Sequence, residues 1–389
     1  MRSYLLSDVD MGAEEVEAVT EVVRSKWLSA GPKTAAFEAA FAEALGAAHG
    51  VALSSCTAAL HLALDALEVG PGDEVLLPSY TFVATANAVL YQRATPVFVD
   101  IVGPHDLNLD PADLAAKVTP RTKAIVAVHL AGFPADMDAL MAVAERYGLA
   151  VIEDACHAVG ADYRSPSHSA LHGRKAGTIG HIGCFSFFAN KNLVTGEGGM
   201  AVTDDESLAR KMQRGRSHGM TKSSWDKASG RASDYDVVQL GYNYRPTEVA
   251  AALGLVQLRK LAGANERRRE LAAAYRRELL GLPGLTMPFA HRLDGAHHIL
   301  PILLDEPAER PGFRHALKEA GVQTSVHYPP AHRFSQYWAE YGRHAEVPRT
   351  DDVAAREVTL PLHPLLGDED VAAIAALTRQ ALVAEALPV

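Results

Sequence analysis

The chain has 389 residues, of which 48% are hydrophobic and 22% charged, and a formal net charge of −10. That composition excludes a mostly disordered chain and offers no general attraction to nucleic acid or an anionic membrane. The length suggests two domains.

No apolar run approaches the length that spans a bilayer, and Asp8 and Asp10 interrupt the N-terminus too early for a signal peptide. The three cysteines, Cys56, Cys156 and Cys184, are odd in number and far apart. They fit neither a disulfide framework nor a zinc motif, which points to a reducing cytoplasm and no metal.

In chain order, Val16, Val19, Val23 and Trp27 recur at helical spacing over 13–27, Gly31-Pro32 stops that helix, and Phe37, Phe41 and Leu45 mark a second. Short β-type runs then alternate with helical ones. Val51–Leu53 precedes a helix over 58–67, and Glu74–Leu77 precedes one over 81–91. A β-run over 96–101 leads to a helix opening at Asp110-Pro111, an N-cap followed by proline at the first helical position. Ala124–Val128 leads to a helix over 137–147, and a strand over 150–153 ends at Asp154. This rhythm predicts an α/β fold with a mainly parallel sheet sandwiched by helices. Residues 162–179 are polar and aperiodic, a flexible insertion or a functional lid. Beyond residue 255 a long Arg-rich helix over 258–280, β-runs over 298–304 and 322–327, a helix over 313–320 and a last helix after Gly367 predict a smaller α+β domain. The expected division is 1–255, a large domain with an N-terminal helical segment, and 256–389, a small C-terminal domain.

Ligands in open parallel sheets bind beyond the C-terminal ends of the strands. After the first strand, Ser54-Ser55-Cys56-Thr57 opens a helix whose free N–H groups suit a phosphate, unless Thr57 merely caps it. Asp154 at a strand end can pair with a cationic ligand group or serve as an N-cap. Lys191 follows the aromatic run Phe185–Phe188 and precedes Gly196-Glu197-Gly198-Gly199; burial there would favour its neutral, nucleophilic amine. An anion site, an acid and an amine match the phosphate, ring nitrogen and aldehyde of pyridoxal 5'-phosphate (PLP).

Several ordered blocks carry a family resemblance. They include Thr57–Leu64, Pro78–Asn87, Glu153–Ala158, Phe185–Leu193, Gly196–Met200 and Leu240–Arg245 running on to Gly254. On these the chain resembles the DegT/DnrJ/EryC1/StrS family of sugar aminotransferases, PLP enzymes of fold type I, through nearly its whole length. The resemblance implies that Lys191 bonds covalently to the cofactor aldehyde and acts with Asp154, which sits against the ring nitrogen. Thr57 and Ala58 would hold the phosphate with Ser186, Phe82 would stack on the ring, and His157 would face its other side. Asn243 would reach the phosphate of the neighbouring subunit, so that a homodimer shares its active sites. Arg216, His218, Tyr244, His327 and Tyr328 fall in segments matching the family's substrate contacts.

The implied reaction is a ping-pong transfer from L-glutamate or L-glutamine to a nucleotide-linked keto-deoxysugar, a dTDP-4-keto-6-deoxyhexose, giving an amino sugar for a glycan or glycosylated metabolite. Same-fold alternatives are a cyclitol (keto-inositol) aminotransferase and an aminodehydroquinate-type synthase; a different-class alternative is a non-catalytic binding or regulatory relative. The chain departs from the family pattern in extra residues around 165–172, in His181 at a common Asp position, and in Cys156 at a frequent alanine. Arg267-Arg268-Arg269 reads as the solvated face of a helix, and His297-His298 has no partner at metal-ligand spacing.

Overall fold

Neighbouring residues of the apolar runs bury themselves on opposite sides of a sheet. In the segment 122–128, Ala124 and Val126 join one core cluster while Ile125 and Ala127 join another, and Ile152 and Val151 part in the same way. Strands of this kind need cover on both faces. The computed structural model, which describes residues 2–385, supplies it.

The strands are β1 (His49–Leu53), β2 (Glu74–Pro78), β3 (Thr95–Val99), β4 (Ile101–Gly103), β5 (Asp106–Leu109), β6 (Thr122–Val128), β7 (Ala150–Asp154), β8 (Ile182–Ser186) and β9 (Gly199–Thr203). Seven form one sheet in the order β1-β9-β8-β7-β6-β2-β3, and β4 with β5 makes a separate hairpin that the periodicity did not predict. The pairs from β8 through β7, β6 and β2 to β3 are parallel. Only β9 runs against the others, antiparallel to β1 and to β8. Helices Cys56–Ala66, Val83–Tyr91 and Glu206–Gly215 cover one face. Helices Pro32–Leu45 and Met137–Tyr147, with the start of Glu248–Leu279, cover the other.

Local chemistry explains most helix ends. Asp110 accepts from the Ala112 N–H ahead of Pro111, and Asp136 accepts from the Ala139 N–H. Gly31-Pro32 has the opposite role to the expected one. The first helix, Ala13–Ser25, has already ended at Lys26 in the left-handed region, and Gly31-Pro32 opens the second.

A smaller antiparallel sheet orders β10 (Leu285–Thr286), β11 (Leu300–Leu304) and β12 (Glu357–Leu360). Helices Arg310–Glu319 and Asp368–Glu385 pack on it through Phe313, Leu317 and Ile374. The helix Glu248–Leu279 serves both sheets: Ala251 and Leu261 join the large sheet's core, Leu271, Tyr275 and Leu279 the small one's. The expected run 322–327 is not a ladder strand; it makes only single bridges, Val322 to Tyr4 and Ser325 to Thr359.

The polar stretch after Asp162 is tied down in this structure. Ser165, Ser167, Ser169 and Tyr163 all donate hydroxyl hydrogens to the Asp138 carboxylate in the first turn of helix Met137–Tyr147. Tyr163 and Leu171 pack into the core under that helix.

Candidate active site

The parallel strands end around one cavity. Val128 closes β6, Asp154 closes β7 and Ser186 closes β8, while the turns after β1 and β2 bring Ser55, Thr57, Thr81 and Phe82. The cavity volume is about 360 Å³, enough for a small cofactor.

At the start of helix Cys56–Ala66 the cap is Ser55, not Thr57: Ser55 Oγ accepts from the Ala58 N–H at 3.1 Å. Thr57 lines the cavity and Ala58 does not. This turn lies hard against β9, where a Cβ on Gly199 would stand 2.4 Å from the Ser55 carbonyl carbon, so the position tolerates no side chain. Helix N–H groups, Thr57 and Ser186 could together hold an anion.

Asp154 is buried and held at both oxygens, by the Thr85 hydroxyl at 2.9 Å and the Cys156 N–H at 3.3 Å. Its neighbour Glu153 faces the other side of β7. It accepts from His129 Nε2 at 2.8 Å and from the N–H groups of Gly177, Ile179 and Gly180 at 2.8, 2.6 and 2.6 Å. Burial alone would raise its pKa, but His129 and the backbone donors outweigh that and hold it below the ordinary value. Glu153 thereby ties the segment leading into β8, and with it Ser186 and Lys191, to β7.

Lys191 faces the cavity from the turn after β8. Desolvation lowers its pKa despite the opposing influence of Cys156, Asp154 and Cys56. Its amine lies 3.4 Å from His298 Nε2. His157 Nε2 meets the Tyr328 hydroxyl at 2.9 Å, and burial, then the Lys191 charge, keeps the ring far below its usual pKa. Phe82 leaves 54% of its surface exposed and tilts toward Tyr328, ring centres 5.8 Å apart. Cys56 and Cys156 are free thiols with sulfurs 2.9 Å apart; with Asp154 their ligand atoms lie within 4.8 Å of one another.

His327 and Tyr328 line the cavity as the sequence suggested, but three other expected substrate residues do not. Arg216 is committed to Glu38 and to the Ala52 carbonyl. Tyr244 bonds His61 Nδ1 at 3.0 Å and stacks on Tyr242. His218 and Asn243 are exposed, away from the cavity. Sequence reasoning missed His298, Glu357 and Arg268. Arg268 is not on a solvated face: it is 2% exposed and donates to the carbonyls of His298 and Leu362. Nothing local in its Arg-rich run distinguishes it from Arg267, which pairs with Glu270 and Asp368.

Behind His327, Glu357 accepts the His327 N–H at 2.8 Å, and burial pushes its pKa up to about 8. A raised carboxyl pKa makes the fold bind a proton that the unfolded chain releases. The contribution to stability is complete below the ordinary value of 4.5 and is lost as pH rises through 8. Urea unfolding of Glu357→Gln is therefore expected to lack this component. The difference in slope from the native chain between pH 5 and 8 is up to about 1.4 kcal/mol per pH unit, and equal slopes would refute the assignment.

The donor set suits PLP. An anion cradle, a buried acid and a desolvated amine converge with the aromatic faces of Phe82 and Tyr328. His157 Nδ1 and Asn190 Oδ1, on two cavity residues, are buried with no partner among the described residues.

The family model of the DegT/DnrJ/EryC1/StrS aminotransferase family matches residues 9–379. The spore coat polysaccharide biosynthesis protein SpsC of Bacillus subtilis (strain 168) is 45% identical over 369 residues, covering 93% of this chain and 92% of that protein. The putative sugar aminotransferase Spr1654 of Streptococcus pneumoniae, solved in its PLP form, superposes with a TM-score of 0.90 at 29% identity, over 99% of this chain and 100% of that one. DesI, solved in the presence of its TDP-sugar product, matches with a TM-score of 0.84 at 35% identity, over 98% of this chain and 93% of that one.

Proposed function

The chain belongs to the DegT/DnrJ/EryC1/StrS aminotransferase family, a PLP-dependent family of sugar aminotransferases, and from that premise we propose that it aminates a nucleotide-linked keto-deoxysugar. The donor in this reading is L-glutamate or L-glutamine, the acceptor a dTDP-4-keto-6-deoxyhexose, and the two half-reactions alternate at one site. The observation that carries it is the convergence of Lys191, Asp154, Thr57 and Ser186 on a single cavity. That the related DesI was solved in the presence of its TDP-sugar product supports the acceptor class.

When bound, PLP supplies an electron-accepting ring and an aldehyde that carries amino groups. Thr57 and Ser186 would hold its phosphate, Asp154 its ring nitrogen, and Phe82 and His157 its two faces, with Lys191 as the covalent attachment. Asp154 keeps its orientation through Thr85 and the Cys156 N–H, and a carboxylate beside a ring nitrogen favours that nitrogen's protonated form. Once displaced by the donor, Lys191 is an amine free to move a proton at the substrate carbon. His327 and Tyr328, from 256–389, wall the substrate side of the cofactor-binding part, 1–255.

The reading includes a homodimer with shared sites. Among the described residues, Lys191 is the only lysine or arginine lining the cavity, too little for a diphosphate substrate, whereas Arg214, Lys222 and Arg245 line a separate groove. The helix Ala13–Ser25 turns Val16 and Val23 outward, 67% and 58% exposed, and Val237, Val238 and Leu240 are exposed beside Asn243. These apolar surfaces suit a second copy, which would bring Asn243, Arg216, His218 and Tyr244 toward its neighbour's cavity. No helix of the described residues is long and apolar enough to cross a membrane, and the free thiols suit the cytoplasm.

The test is an absorbance spectrum with PLP, before and after L-glutamate, followed by a keto substrate. A visible band that bleaches with glutamate and returns with dTDP-4-keto-6-deoxyglucose is expected. Return only with a keto-inositol would replace the substrate, and absence of any visible band would overturn the reading.

A further inference from the structure

Asn192 has an amide whose orientation is dictated by its surroundings. Its Nδ2 donates to Asn265 Oδ1 and to the Ala296 carbonyl, both at 2.8 Å. Asn265 presents that oxygen because its own Nδ2 donates to the Val159 carbonyl at 2.9 Å. Asn192 Oδ1 is therefore left as an acceptor, and what faces it, at 3.0 Å, is His298 Nδ1. The proton of the neutral imidazole must sit on Nδ1, which leaves a lone pair on Nε2. That lone pair faces Lys191 Nζ at 3.4 Å.

The ring has little freedom to do otherwise. The His298 N–H donates to the Ala131 carbonyl at 2.9 Å, and its carbonyl accepts from Arg268 Nη1 at 3.2 Å. The imidazole lies against that of His157, centres 4.3 Å apart. Burial and the charges of Lys191, His157, Arg268 and His327 all oppose a second proton on His298.

We propose that His298 is a positioning residue for Lys191, a neutral acceptor that holds one N–H of the amine whenever the amine is not covalently engaged. Fixing one N–H stops free rotation of the amine and confines the nitrogen lone pair to the two remaining tetrahedral positions. The same bond strengthens when Nζ is protonated, so it counters the desolvation that disfavours the ammonium form and lets Lys191 keep a proton between taking and returning it. The other titratable groups acting on Lys191 are Cys56, Asp154, Cys156, His157 and His327. The inference rests on Lys191 being the cofactor-bearing lysine.

The test measures Lys191 itself in cofactor-free protein, by following acetylation of its peptide against pH with mass spectrometry. In His298→Asn the amide can replace Nδ1 toward Asn192 but not Nε2 toward Lys191. Its midpoint should fall by about one pH unit, a tenfold rise in neutral amine. In His298→Gln the amide oxygen reaches the Nε2 position and should restore the native midpoint. Asn192→Ala, which keeps the imidazole but releases its tautomer, should shift the midpoint downward too and serves if His298→Asn does not fold. In the holoenzyme the Asn variant should lose about 10-fold in kcat with KM for the keto sugar unchanged, and the Gln variant should recover it. Equal midpoints in native, Asn and Ala variants with intact folds would overturn the proposal, as would indistinguishable Asn and Gln variants. A wrong cofactor assignment would show separately, as no visible band for native protein with PLP.

Discussion

Lys191→Ala is expected to lower kcat/KM for transamination by at least ~10^4-fold and to remove the visible band of lysine-bound cofactor, while leaving the thermal midpoint close to native. The loss is large because two tasks fall on one nitrogen, covalent attachment and proton transfer. Among the described residues, no other lysine or arginine lines the cavity to replace it. Desolvation lowers the Lys191 pKa, which enlarges the neutral fraction that covalent attachment and proton uptake require. Lys191→Arg should be equally inactive, since a guanidinium retains its proton and cannot attack an aldehyde. Single-turnover assays with glutamate would check both variants. Retention of native activity by Lys191→Ala would remove the basis of the proposed mechanism, and a collapse of the fold would be answered by the arginine variant.

The largest expected effect on stability lies one residue from the proposed cofactor acid. Glu153→Ala should cost about 3–5 kcal/mol, seen as a lower urea midpoint, because it strands His129 and the N–H groups of Gly177, Ile179 and Gly180 without an acceptor in a fully buried place. Glu153→Gln keeps one acceptor oxygen and should lose less. The folded pKa is depressed, so the contribution is complete above the ordinary value of 4.5 and disappears as pH falls through the lowered one. The native chain and Glu153→Ala should therefore converge in stability on acidification. Equal stability of the two at neutral pH would show that the four donors find other partners.

The alternating apolar runs made the sheet and its two helical layers legible, because which face a side chain takes depends only on its neighbours in the chain. The helix Met137–Tyr147 emerged with its expected bounds for the same reason, with Asp136 capping one end and Gly148 in the left-handed region closing the other. The antiparallel β9 could not be read in this way. Its apolar run is like those of the parallel strands, and its direction follows from how the chain returns after Lys191.

The residue types at the strand ends, Thr57, Asp154, Ser186 and Lys191, and the family they indicate, were determined by the sequence itself, since motifs are local in the chain. Tertiary structure alone decided what those residues meet. Asn192 touches Asn265 and His298 across 73 and 106 residues, and Arg268 reaches the His298 carbonyl across 30. Ser165, Ser167 and Ser169 look like a loose polar loop until Asp138 is brought beneath them. Hydrogen bonds of this kind act over about 3 Å, and only the folded path of the chain sets which groups come that close.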